Sequence, residues 1–233
     1  MSGISENIQI VRENIAAALQ GGDRAVLLVA ATKMNDAERV REAIAAGVDG
    51  CGENKVQEFL EKDALGAYDG CPKHFIGHLQ KNKVKNVVGL AELIHSTDSI
   101  ELMAAIDRQA KKLGIVQDIL LEVNVGAESS KSGFAPAEID AALAAAADFS
   151  GIRVRGLMAI PPICTSGAEN LPYFKVLQQL FIDNCDKKYD NVRMDFMSMG
   201  MSGDYEAAIA CGANMIRVGT AIFGQRNYAA PAD

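Results

Sequence analysis

The sequence predicts an α/β fold: one (β/α)8 barrel of the TIM type, preceded by an extra N-terminal helix and spanning residues 1–233 as a single domain. Three observations predict it. Eight short strand-like segments alternate with helix-like segments along the chain, and regular alternation implies a parallel sheet with right-handed crossovers. Eight such units in 233 residues suggest closure into a barrel. The runner-up, an open doubly wound sheet, lacks its usual Gly-x-Gly-x-x-Gly turn after the first strand. No Pro/Gly/Ser-rich linker separates two halves.

The elements follow in order. Residues 4–19 carry Ile8, Val11, Ile15 and Ala18 at helical spacing. Beyond Gly21-Gly22, the continuous apolar run 25–31 reads as a buried parallel strand. Residues 36–46 read as a helix closed by Gly47. Further strands are expected near residues 48–52, 74–77, 93–97, 119–125, 154–160, 195–199 and 215–219. Helices are expected between them at 55–65, 80–88, 99–113, 136–149, 169–187 and 202–211.

Composition narrows the class. The chain is 49% hydrophobic and 23% charged, enough apolar material for a sizeable core and a poor match to disorder. A net charge of −7, with no long basic block, argues against nucleic acid. The odd, scattered set Cys51, Cys71, Cys164, Cys185 and Cys211 has no CxxC spacing and fits neither a disulfide framework nor a zinc site. The first ten residues hold Glu6 and no apolar core, so no signal peptide is expected. No run approaches the ~18 apolar residues of a membrane span. A cytoplasmic monomer with small-molecule ligands, and no nucleic-acid or membrane partner, is the expectation.

In this kind of barrel, function sits at the carboxyl ends of the strands. Strand one runs out through Val29-Ala30-Ala31-Thr32-Lys33. Alternation puts Lys33 on the face of Ala31 and Val29. Partial desolvation lowers a lysine's pKa and frees the amine as a nucleophile, suited to a Schiff base with an aldehyde. The bland alternative is a solvated lysine just past a strand. After strand seven come Ser198-Met199-Gly200-Met201-Ser202-Gly203-Asp204. Ser202 is placed to cap the next helix, and helix amino termini attract anions. Gly219 and Thr220, after strand eight, offer donors beside the same place, where barrels of this kind usually bind phosphate. Ordinary capping is the alternative. Arg217 shares a strand face with Gly219. It can donate to a pyridine ring nitrogen, leaving that nitrogen unprotonated, or it can pair with a carboxylate. Asn54, after strand two, can contact a ligand or cap a helix. His74 and His78 need not share a helix face, so no metal pair is expected. Lys81, Lys83 and Lys85 read as a solvated helix face.

Taken together, these stretches resemble the YggS/PROSC family of pyridoxal phosphate homeostasis proteins. The resemblance runs from Val26 to Gly224. It is carried by Leu28-Val29-Ala30-Ala31-Thr32-Lys33, by Gly52-Glu53-Asn54 and Val56-Gln57-Glu58, and by the stretch from His74 to Lys83. Lys131-Ser132-Gly133-Phe134, Gly156-Leu157-Met158, the stretch from Ser198 to Asp204 and the stretch from Ile216 to Gly224 complete it. The resemblance implies a barrel like the amino-terminal domain of alanine racemase, with pyridoxal 5'-phosphate held as a Schiff base on Lys33. It also implies the cofactor phosphate near Ser202, Gly219 and Thr220, Arg217 by the ring nitrogen, and a role in vitamin B6 and amino-acid balance without an established reaction. Asn54 and Ser198 complete the candidate cofactor site. Two positions depart from the family pattern: Thr32-Lys33-Met34 stands where Ser-Lys-Thr is common, and Lys55 stands where tyrosine is frequent.

Three functions compete: a cofactor carrier or regulator, an amino-acid racemase, and a class I aldolase-like enzyme using Lys33 on a sugar phosphate. Racemisation needs acid/base groups at both faces of the substrate α-carbon. Related racemases take one from a second domain, and nine residues follow Gly224 here. The carrier is the expected function, with no catalytic residues assigned.

Overall fold

The computed structural model describes residues 3–225 apart from 129–130, 163–165 and 188. Eight parallel strands close into a barrel in sequence order: β1 (Leu27–Ala31), β2 (Gly50–Glu53), β3 (Lys73–Phe75), β4 (Leu93–Thr97), β5 (Gln117–Val123), β6 (Ile152–Ala159), β7 (Val192–Ser198) and β8 (Met215–Val218). The seam is the β1–β8 pairing, with Leu27 opposite Met215 and Val29 opposite Arg217. The predicted (β/α)8 closure is therefore observed.

Alternation along each strand separates two cores. Val29, Leu93, Leu120, Met158 and Met215 fill the barrel interior, with Leu27, Ile160 and Phe196 against them. The opposite faces, including Leu28, Ala30, Ile94, Ile119 and Ile216, pack under the surrounding helices. Near the amino-terminal ends of β5 and β6, Asp118 binds Arg153 at 2.7 Å and Arg155 at 2.5 Å, and Arg155 lies over the Phe196 ring. Gly156 is required by packing: a Cβ there would lie 1.9 Å from the Phe196 carbonyl oxygen, on a backbone with φ of 141°.

The outer layer is α1 (Ile4–Ala18), α2 (Ala37–Ala45), α3 (Val56–Ala64), α4 (Ile100–Leu113), α5 (Ile139–Ala146), α6 (Leu171–Asn184), α7 (Tyr205–Ala210) and α8 (Thr220–Phe223). The extra helix has a clear structural role. Because α8 has only four residues, α1 lies against α8, α7 and α2 and closes the helical ring, burying Ile4, Ile8, Val11 and Ile15. Asn7 donates to the Ile222 carbonyl at 2.8 Å and ties α1 to α8.

Two local expectations are corrected. The helix expected at 80–88 is a 3₁₀ turn, Lys81–Asn86, with Val84 buried in it and Val87 buried just beyond. Apolar residues three apart suit three residues per turn. Ser202 does not cap α7. Asp204 stands at that helix start, and its Oδ1 accepts from Met201 N–H at 2.6 Å. Cys51, Cys71, Cys185 and Cys211 are free thiols, and Cys164 lies outside the described residues. No helix among the described residues is long and apolar enough to cross a membrane, and those residues hold no cluster of three metal-ligating side chains.

Candidate functional site

At the carboxyl ends of the strands, β1 and β8 open on a cavity of about 290 Å³ whose lining includes Lys33, Asp36, Arg39, Gly219 and Thr220. Lys33 is half-buried in a turn two residues past β1. Its neighbour Met34 is left-handed at φ 62°, which a non-glycine residue adopts only when held. Arg39 frames the cavity from α2, donating to the Phe223 carbonyl and to Asn35 Oδ1 and lying over the Phe223 ring.

Ser202 reaches this cavity's wall from the β7 side. Its Oγ accepts from Gly219 N–H at 3.1 Å and from Ala221 N–H at 3.2 Å. The hydroxyl proton is then available to an acceptor. Lys33, Gly219 and Thr220, distant in sequence, thus line one opening, and Ser202 stands behind it, bonded to the Gly219 and Ala221 backbone.

Arg217 lies deeper, 4% exposed, inside the barrel. It has no carboxylate within ion-pair distance among the described residues. Nη1 donates to Ser198 Oγ at 2.6 Å and Nη2 to the Ala159 carbonyl at 3.0 Å. Burial pulls its pKa down to about 10, against the pull of the Glu122 and Asp204 charges. Ser198, fully buried, sits beneath Arg217 and also meets His95 Nδ1 at 3.1 Å; His95 Nε2 meets His74 Nδ1 at 3.0 Å. Arginine only donates, so Ser198 Oγ accepts from Arg217, and through Ser198 the guanidinium is linked to His95 and His74. Burial keeps both imidazoles neutral, with the His74 pKa lowered to about 4 and that of His95 lowered further by its neighbours.

Asn54 opens onto an adjacent cavity of about 220 Å³ with Glu122, His78 and Lys131 on its walls. Its Oδ1 is buried without a hydrogen-bond partner, and the side chain does not cap α3, whose N-cap is Lys55. Gly77 holds this loop close: a Cβ there would lie 2.1 Å from the Asn54 carbonyl oxygen. Glu122 is 8% exposed. Burial first, then the Asp98 charge, pushes its pKa up to about 7 against the pull of Arg217.

Sequence reasoning missed His95, Glu122 and the pair Glu53–Lys62. Alternation held a signal for the first two. His95 follows the inward Leu93, and Glu122 follows the inward Leu120.

The sequence profile of the alanine racemase N-terminal domain matches residues 2–227. A protein of Aquifex aeolicus named pyridoxal phosphate homeostasis protein is 41% identical over 227 residues, covering 96% of this chain and 98% of its own. Its namesake in Pseudomonas aeruginosa is 40% identical over 235 residues, covering 100% of each chain. PipY of Synechococcus elongatus, solved with PLP bound, superposes with a TM-score of 0.79 at 32% identity over 95% of this chain and 100% of that one. An alanine racemase of Clostridium difficile shares the fold, with a TM-score of 0.69 at 16% identity, over 98% of this chain and 58% of its own. With full-length similarity at this level and the matching barrel, the chain belongs to the family of pyridoxal phosphate homeostasis proteins, built on the alanine racemase N-terminal domain.

Proposed function

We propose that this protein binds pyridoxal 5'-phosphate at the β1/β8 mouth and serves to hold and buffer that cofactor in the cytoplasm. The observation that carries the reading is the meeting of Lys33 with Gly219 and Thr220 on one cavity of about 290 Å³. That size sits at the small end of ligand sites, roughly 300–1,000 Å³. When bound, the cofactor supplies an aldehyde carbon that condenses with an amine.

The residues fit such a group. Lys33 offers the amine. Ser202 and Thr220 offer hydroxyls, beside the Gly219–Ala221 backbone, to a phosphate. Arg217 keeps N–H donors beyond the two that Ser198 and Ala159 take. Asn54 stands apart from this group, on the second cavity, where its Oδ1 is a buried acceptor without a partner. Ser198 serves by holding Arg217 in place.

A holding role, in place of racemase turnover, is the reading that the names of the full-length relatives support. Arg217 cannot accept a proton, so it would leave a ring nitrogen held beside it unprotonated and the ring a weaker electron sink. The neutral pair His74 and His95 lies beneath Arg217 and is engaged in its support. Borohydride reduction followed by peptide mapping tests the reading. The pyridoxyl group is expected on Lys33, and finding it only on Lys55 or Lys81 overturns the assignment. Incubation with single enantiomers of alanine is expected to leave chirality unchanged. Turnover of about 1–10³ per second, abolished by Lys33→Ala, overturns the holding role.

A further inference from the structure

Behind the Lys33 turn lies a buried ion cluster that the ligand cavity does not use. Lys62, on the inner face of α3, donates to Glu53 Oε2 at 3.0 Å, to Glu53 Oε1 at 3.2 Å and to the Thr32 carbonyl at 2.8 Å. Glu58 Oε2 stands 3.5 Å from the same ammonium and accepts from Met34 N–H at 2.8 Å. Thr32 Oγ1 donates to the Gly52 carbonyl at 3.1 Å and lies 3.3 Å from Glu53 Oε1. The Lys62 and Glu53 side chains are 8% and 0% exposed.

Two features make this more than core filling. A buried ion pair is weak support for stability, because desolvation offsets the attraction, so what it holds in place matters more than the pair itself. The cluster also grips the backbone on both sides of Lys33: Lys62 holds the carbonyl before it, and Glu58 holds the N–H after it, at the left-handed Met34. Asn35 completes the turn through the Lys33 carbonyl at 3.1 Å. Lys62, Glu53, Glu58 and Thr32 do not line the cavity that Lys33, Met34 and Asn35 line.

We infer that Lys62, clamped by Glu53 and Glu58, is the positioning residue for Lys33: it fixes the Thr32–Lys33–Met34 turn and thereby sets how long a covalently held aldehyde is retained. This rests on the reading of Lys33 as the cofactor lysine. Release is hydrolysis: water adds across the imine bond and returns the Lys33 amine and the free aldehyde. The clamp is independent of the phosphate contacts, so loosening it speeds this release without altering preference for the phosphorylated ligand.

The test uses the full chain with Lys62→Met, Lys62→Arg and Glu58→Ala. Three quantities are measured at 25 °C: the rate of pyridoxal 5'-phosphate release, hydrogen exchange of the Met34 amide in cofactor-free protein, and the thermal unfolding midpoint. Lys62→Met and Glu58→Ala are expected to raise the release rate by about tenfold or more, the scale of one charged hydrogen bond. Met34 exchange is expected to rise with it, and Lys62→Arg to recover part of both. A lowered midpoint with release and Met34 exchange within twofold of wild type overturns the clamp and leaves a merely structural pair. If Lys62→Met does not fold, Glu58→Ala, which leaves the buried pair intact, decides alone. If Lys33→Ala releases the cofactor no faster than wild type, the assignment of Lys33 fails, and Met34 exchange in the cofactor-free variants still decides the clamp.

Discussion

Replacing Ser202 by alanine removes one acceptor shared by two backbone donors, Gly219 N–H at 3.1 Å and Ala221 N–H at 3.2 Å, together with one hydroxyl donor. In the cofactor-free protein the two freed N–H groups, near a cavity open to water, re-pair with solvent. The stability cost is then that of an ordinary hydrogen bond, about 1 kcal/mol. A lost hydroxyl contact to a phosphate dianion costs about 1.5–3 kcal/mol, or about 10- to 150-fold in Kd. Thr220→Val is expected to act on the same group, so the double variant should fall short of the product of the singles. The assay is a spectrophotometric titration of wild type, both singles and the double with pyridoxal 5'-phosphate and, in parallel, with pyridoxal. The double variant is expected to bind the phosphorylated ligand more weakly than either single, by more than about tenfold, and to bind pyridoxal as wild type does. Equal losses for the two ligands would refute the reasoning. Ser202 would then act by holding the Gly219–Ala221 turn and not by touching phosphate.

Other outcomes follow from buried groups and close approaches. Gly77→Ala drives a Cβ to 2.1 Å from the Asn54 carbonyl oxygen, so a drop of about 3 kcal/mol or more in urea unfolding is expected. His74 has a folded-state pKa near 4 against an ordinary 6.5. A base depressed in this way makes stability fall as pH drops from about 6.5 through 4, by about 3 kcal/mol, and His74→Asn should flatten that difference between urea curves at pH 7 and pH 4. Glu122 is raised from 4.5 to about 7, so its folded form holds the proton longer. Its contribution is complete below about pH 4.5 and is lost as pH rises through 7. Glu122→Gln should recover up to about 3 kcal/mol at pH 8 and nothing at pH 4, and a variant with unchanged pH dependence would show that the carboxyl is solvated.

The parts of this site that sequence makes legible obey one rule, that the carboxyl ends of barrel strands carry function. Lys33 lies just past a strand that announces itself by a continuous apolar run, and Gly219 and Thr220 lie just past a shorter apolar strand that Arg217 interrupts, so counting to the strand ends finds them. Ser202 was legible as a small polar residue near that opening, but its partner was not. Asp204 stands at the helix start and accepts from Met201 N–H, while Ser202 bridges to the turn after β8.

Arg217 shows why the rest stayed hidden. Its side could be read from alternation with Gly219, yet its partners come from β6 and β7, and the histidine behind Ser198 comes from β4, through closure of the barrel. No spacing in the chain relates residue 95 to residue 198. The expectation of a carboxylate partner is natural for a buried cation, and Glu122 does face Arg217, but neutral oxygens satisfy the guanidinium at hydrogen-bond distance instead. The Glu53–Lys62 pair is intermediate. A glutamate ending an apolar strand and a lysine three residues after Phe59 on the buried face of α3 are each out of place alone. Taken as mutual partners they account for each other, and for the strained turn between them that presents Lys33.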